Sequence, residues 1–313
     1  MSASRPMATA KPAEPMGRLR IMSTESKTEQ GQNEPGRIDY EAEYNNRLLV
    51  PDNGKYGARW ADASAETRAK LNAELDIPYG PGIRNRYDLF LTSGRSLSTP
   101  LAVYIHGGVW QRGDRKDYSC VAEQLVARGV DVAMPSYTLG PEARVTHIFE
   151  ELRMFLRALW ARTGRRPLVI GHSVGGTMAG AMLATDWSGV GDVPDDLVRA
   201  AYAISGVFEV EPYVHTSYNK AIRLTAEEAR RLSPALWPAP KGRTLVAAVG
   251  GSESREFVRQ SLDIVARWSP AGVKAECVVI PGGNHFTVVD ELMRPDGAML
   301  ERCVSLAQAV AKV

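Results

Sequence analysis

The chain has 313 residues, 44% of them hydrophobic, enough apolar material to bury a sizeable core and to exclude wholesale disorder. Thirty-eight lysines and arginines against thirty-six acids leave a formal charge of +2, which argues against a protein built to grip nucleic acid. No run of eighteen apolar residues occurs, so no membrane span is expected.

Residues 1–36 hold four prolines and four methionines and no aromatic residue, and they read as a flexible leader. Arg5, Lys11, Arg18 and Arg20 against Glu14 give residues 1–22 a local charge of +3. A transit peptide has this composition; a simple tail, or a start at Met22, accounts for it more economically. From about residue 37 a single domain is expected to run to residue 313. Within it, short apolar runs alternate with longer stretches of helical spacing. The spacing predicts an antiparallel opening pair near Arg86–Leu91. Buried strands are predicted at Leu101–Ile105, Val130–Met134, Leu168–Ile170, Ala200–Ile204, Thr244–Val249 and Glu276–Ile280. Helices are predicted at Tyr118–Ala127, His147–Ala161, Val174–Thr185, Arg255–Trp268 and Ala298–Val310. This order predicts an α/β fold, a mostly parallel sheet with helices on both faces. The stretch 206–240 breaks the alternation and reads as a lid or pocket wall, whose exposed apolar surface would suit a homodimer contact. Cys120, Cys277 and Cys303 form no CxxC pair and suit reduced thiols in a cytoplasmic protein, with neither a disulfide framework nor a zinc site.

In such sheets, ligands bind beyond the carboxyl ends of the strands. One predicted strand ends in Gly171-His172-Ser173-Val174-Gly175 and runs straight into an apolar helix. That is a G-x-S-x-G nucleophile elbow, which lifts the serine Oγ clear of the backbone. A serine hydroxyl needs a base. Of the five histidines, His285 lies in the loop after the last strand, where the Ser…acid…His chain order puts the base. His172 is expected to turn away from the site, and His106 to hold its loop in shape. The acid is expected just after Thr244–Val249: Glu253 stands closest to that strand end, with Glu256 its main rival. An oxyanion needs two N–H donors. One is expected from Val174, the other from the glycine-containing loop His106-Gly107-Gly108-Val109-Trp110, at Gly108 or Val109.

The HGGVW loop and the GHSVGG elbow resemble those of α/β-hydrolases, and more narrowly those of the kynurenine formamidase (arylformamidase) group. The likeness runs from Tyr40-Glu41-Ala42-Glu43-Tyr44-Asn45-Asn46-Arg47 to the C-terminus and includes Ser205–Pro212 and Glu253-Ser254-Arg255-Glu256-Phe257. It supports Glu253 as the acid. Val109 stands where the group carries Tyr, Glu253 where several members have Asp, and Arg255 at a common proline position. Tyr137–Glu142 is similar to a Y-R-L-A-P-E stretch of lipase-like carboxylesterases. The resemblance implies cleavage of an N-formyl arylamine such as N-formylkynurenine. The same residues would serve a carboxylesterase or amidase acting on small aryl esters, amides or carbamates, and a non-catalytic binding protein is the third reading. Trp110, Phe208, Tyr213, Trp237 and Phe286 are the expected substrate-binding aromatics, and Asn45 and Asn46 the candidate polar anchors. With no HExxH, no Cys/His cluster and no phosphate loop, neither a metal nor another cofactor is expected. The expected partner is a small ester or amide, with no nucleic acid and no membrane.

Overall fold

A strand covered on both faces must be apolar along its whole length, and the middle of this chain supplies five such strands. In the computed structural model, which describes residues 38–312, they sit at the centre of an eight-stranded sheet. The leader expected at residues 1–36 lies outside the described residues. Three helices come first: α1 (Tyr40–Tyr44), α2 (Asn46–Leu49) and α3 (Gly54–Lys70). Then follow β1 (Ala73–Pro78), β2 (Arg86–Phe90), β3 (Leu101–Ile105), α4 (Cys120–Ala127), β4 (Asp131–Pro135), α5 (Val145–Thr163), β5 (Pro167–His172) and α6 (Val174–Ala184). The remainder is β6 (Ala200–Ile204), α7 (Asn219–Ile222), α8 (Ala226–Arg231), β7 (Thr244–Gly250), α9 (Arg255–Trp268), β8 (Lys274–Ile280) and α10 (Ala298–Ala311).

The strand order is β1-β2-β4-β3-β5-β6-β7-β8. β1 and β2 pair antiparallel, as do β2 and β4, and every later pair is parallel. Alternate residues of each strand feed two cores. In β3, Leu101, Val103 and Ile105 face the layer of α5, α6 and α9, while Ala102 and Tyr104 face α3, α4 and α10. The predicted strands and helices are all present, with ends that differ by two residues at most. Helices α1 to α3 were not foreseen; the antiparallel opening pair expected near Arg86–Leu91 is β2 with β1. The stretch 206–240 holds the short α7 and α8 between tight turns, and it sends Phe208, Tyr213 and Leu224 into the core.

From β3 the chain crosses to β4 on one side, and from β5 it proceeds to β6, β7 and β8 on the other. The carboxyl ends of β3 and β5 therefore flank the point where the winding reverses, which opens a crevice between their loops.

Candidate active site

Ser173 sits at that crevice, between the end of β5 and the start of α6. Its backbone is strained, with φ 58° and ψ −128°, a region sparsely used by residues with a side chain. The conformation is held from both sides. Ser173 N–H donates to the Ile204 carbonyl at 2.8 Å, and its own carbonyl accepts from Gly176 and Thr177 at 2.8 and 3.1 Å. The flanking glycines are needed for close approach: a Cβ on Gly171 would collide with the Gly175 carbonyl, and one on Gly175 with the Ile105 carbonyl. Ser173 also caps the N-terminus of α6, whose dipole favours negative charge there.

His285 comes from the loop after β8. Its Nδ1 lies 2.7 Å from Glu253 Oε2, and the Glu253 side chain is fully buried. The other carboxylate oxygen, Oε1, accepts from Ser205 Oγ at 2.6 Å and from Gly250 N–H at 2.7 Å. The carboxylate is thus fixed in place with its hydrogen bonds satisfied. Glu256 goes elsewhere. It makes a two-point pair with Arg259, 2.8 Å on each oxygen, and accepts from the Tyr44 hydroxyl at 2.8 Å. The Arg259 contacts hold its carboxyl below the usual range. Ser205 was not picked out by residue chemistry, although its stretch belonged to the family-like segments.

His172 does not turn away from the site. It lines the same cavity, its ring centroid is 4.8 Å from that of His285, and its Nε2 is 2.7 Å from the His285 carbonyl. As the last residue of β5 it faces the loop that carries the base. Burial first, then the neighbouring His285, push its pKa well below the ordinary value. A neutral ring with its proton on Nε2 donates to that carbonyl and steadies the loop.

The loop after β3 carries three successive positive φ angles, 111° at Gly108, 52° at Val109 and 54° at Trp110. Gly108 is required, since any Cβ there would meet the Arg112 carbonyl. Gly107 lies against the serine: a Cβ on it would stand 2.9 Å from Ser173 Cβ. Among the described residues, the N–H groups of Gly108, Val109 and Val174 have no acceptor. His106 holds this loop, as expected. Its ring stacks between Tyr118 and Tyr137, and its Nδ1 is 2.8 Å from the Gly107 carbonyl. Burial pushes its pKa down to about 4, so the ring is neutral at physiological pH.

Ser173, His172 and His285 open onto a cavity of about 230 Å³. That is below the ~300–1,000 Å³ of sites for drug-sized ligands and suits a small substrate. Of the five expected aromatics, only Phe286 lines it. Trp110 is fully buried and packs edge-on against Tyr213. Tyr213 and Phe208 are also core residues. Trp237 lies on another surface, its indole N–H on the Arg231 carbonyl and its ring under Arg153. The actual walls are Tyr118, Tyr218 and Phe286, with a roof from α1 to α3 that contributes Tyr44, Asn46, Arg47, Asn53 and Trp60. Asn46 is therefore at the cavity, while Asn45 caps α2 and accepts from the Tyr218 hydroxyl at 2.8 Å. The family-like segment Tyr40–Arg47 was the available signal for this roof.

Among the described residues no helix is long and apolar enough to cross a membrane, and Cys120, Cys277 and Cys303 are free. The chain is 29% identical over 243 residues to the kynurenine formamidase of Salmo salar, a match covering 75% of this chain and 82% of that one. It is 26% identical to that of Danio rerio, covering 72% and 79%. The crystal structure of a protein from Silicibacter sp. TM1040, provisionally described as a thioesterase, superposes with a TM-score of 0.76 at 28% identity, covering 88% of this chain and all of that one. Esterase B from Lactobacillus rhamnosis shares the fold, with a TM-score of 0.64 at 18% identity over 86% of this chain and 96% of that one. The model of the alpha/beta hydrolase fold matches residues 102–289, more than half of the chain. With the sheet order and the strand-to-helix elbow, that match establishes that the chain belongs to the α/β-hydrolase family.

Proposed function

We propose that this α/β-hydrolase is a serine hydrolase that cleaves a small aryl amide or ester through an acyl-enzyme, with an N-formyl arylamine of the N-formylkynurenine type as its best substrate. The observation that carries the reading is that Ser173 and His285 line one cavity, with buried Glu253 bonded to His285 Nδ1. Ser173 Oγ attacks the carbonyl carbon while His285 takes its proton. Glu253 orients the imidazole and stabilises its cation. The N–H groups of Gly108, Val109 and Val174 receive the oxyanion, aided by the N-terminus of α6. His285 then passes the proton to the leaving amine or alcohol, and water enters by the reverse sequence to free the acid. The relatives named kynurenine formamidase favour the formamide, and the aromatic walls of the cavity suit an aryl group.

A carboxylesterase or amidase using the same residues is the second reading. What favours it is Val109, which lines the cavity where the formamidase group carries an aromatic ring. The deciding measurement is kcat/KM on N-formylkynurenine beside p-nitrophenyl acetate, with Ser173→Ala as the blank. The formamide reading predicts a preference of ~100-fold or more, equivalent to ~2.7 kcal/mol of transition-state discrimination. Efficient ester cleavage with little formamide turnover favours the esterase. Retention of turnover by Ser173→Ala sinks both. A wild-type serine that a fluorophosphonate leaves unlabelled points instead to a binding protein.

A further inference from the structure

The loop after β3 holds a conformation that its residues do not favour. Val109 and Trp110 both have left-handed φ angles, and for a β-branched residue such as Val109 that is an outlier which persists only where the surroundings enforce it. Some of the hold is local. The Gln111 and Arg112 N–H groups close on the Gly108 carbonyl at 3.0 and 3.2 Å, and the Gly140 N–H reaches the Trp110 carbonyl at 2.7 Å. Gln111 Nε2 donates to the Tyr218 carbonyl at 3.0 Å. A further hold comes from another part of the sheet. Arg84, in the turn between β1 and β2, donates from Nη2 to the Gly113 carbonyl at 2.7 Å and from Nε to the Tyr137 carbonyl at 2.8 Å. Asp114 Oδ2 pairs with the same Nη2 at 3.2 Å.

Both carbonyls lead to one place. Gly113, at φ 93°, folds back so closely that a Cβ on it would stand 2.7 Å from His106 Nδ1 and 3.0 Å from the Gly107 carbonyl. The Tyr137 ring stacks on His106 at 4.3 Å, and its hydroxyl donates to the His106 carbonyl at 2.9 Å. Arg84 thereby ties together the two segments that pack on His106, and the next residue, Gly107, lies against Ser173. Arg84 itself is partly buried and outside the cavity lining, so it touches the loop's supports and not the cavity. Holding two carbonyls on separate segments takes two donors fixed relative to each other. A planar guanidinium supplies them, and an ammonium group does not.

We propose that Arg84 is a positioning residue for the oxyanion site: by clamping Gly113 to Tyr137 it keeps the strained turn that leaves the Gly108 and Val109 N–H groups free for the oxyanion. This rests on the serine-hydrolase reading of the same cavity. It adds a residue remote from the triad on which stabilisation of the transition state depends.

The test measures kcat and KM on p-nitrophenyl acetate and formanilide, and the Ki of phenylboronate. The boron of that inhibitor takes Ser173 Oγ as its fourth ligand, the serine proton passes to His285, and a boron-bound oxygen occupies the oxyanion position. Arg84→Met is expected to lower kcat ~10- to 100-fold, less than the ~10²–10³ for outright removal of an oxyanion donor. KM should stay within about threefold, and the boronate Ki should rise by about the factor that kcat/KM loses. Arg84→Lys keeps the charge without the fork and should behave like Arg84→Met. Tyr137→Phe removes only the hydroxyl from the His106 carbonyl and should change the same two constants in the same sense. Joined with Arg84→Lys it should cost less than the product of the two, because both act on one loop. A partly folded variant loses kcat in proportion to its inactive fraction and leaves the boronate Ki unchanged. Where Arg84→Met does not fold, Arg84→Lys and Tyr137→Phe read the same constants. A kcat within threefold of wild type, a loss of kcat with an unchanged boronate Ki, or full activity in Arg84→Lys overturns the clamp. A wild-type protein that turns over neither substrate and ignores the boronate overturns the serine-hydrolase reading, and the clamp with it.

Discussion

Glu253 has each oxygen committed: one accepts from Ser205 and Gly250, the other meets His285. Only a carboxylate satisfies all three donors. In Glu253→Gln the new amide group either faces the Gly250 N–H or faces His285 and forces its other tautomer. Turnover of the best substrate is expected to fall ~10⁴-fold in kcat with little change in KM, the scale seen when a triad acid is replaced by its amide. A kcat within tenfold of wild type would remove Glu253 from the mechanism. The site also depends on residues without side chains. Gly107 lets the loop after β3 lie against Ser173, so Gly107→Ala must displace one of the two and disturb the attack geometry.

At the scale of elements, α1 of the roof is joined to the body through α9, while α3 is held by β2 and by Asp290. Gln260, buried on α9, accepts from the Phe208 and Glu209 N–H groups at 2.7 Å each, and donates to the Tyr44 hydroxyl and the Glu209 carbonyl. Gln260→Leu keeps the volume and leaves two backbone N–H groups without partners. A loss of about 3 kcal/mol is expected in urea unfolding, since each such group costs ~1–3 kcal/mol. A change below half a kcal/mol would mean that water replaces the amide. The central strands were legible because burial on both faces demands continuous apolar runs, and the elbow and the candidates His285 and Glu253 because they stand at the ends of those strands. The roof was not. Helix α3 buries only Tyr56, Trp60, Ser64 and Thr67, too polar a set to give an apolar stripe. The substrate aromatics were misplaced for a related reason. Position beside a loop does not reveal which way a side chain turns: of two successive residues, Val109 lines the cavity and Trp110 is buried in the core.

For the molecule as a whole, two buried neutral histidines couple stability to pH. His106 is pushed down to about 4 and His172 well below its ordinary value, in both cases first by burial. Above the ordinary histidine pKa of about 6.5, folded and unfolded chains carry these rings neutral alike, and their contribution is fully present. As the pH falls below that value the unfolded chain takes up protons that the folded one refuses. Each ring then removes up to ~1.4 kcal/mol of stability per pH unit until its folded pKa is reached. The urea midpoint should drop between about pH 7 and pH 5, and His106→Gln should flatten the slope. A midpoint that does not move would contradict the buried neutral state.

The roof precedes every strand in the sequence, yet Tyr44 is held by Glu256 and Gln260, 212 and 216 residues further on. During synthesis α1 emerges first and must wait for α9 before Tyr44 has its partners, whereas α3 can dock on β2 and α4 much earlier. At the ribosome, the strand-end chemistry can assemble from the sheet outward, but the covered site forms only when nearly the entire polypeptide has been made.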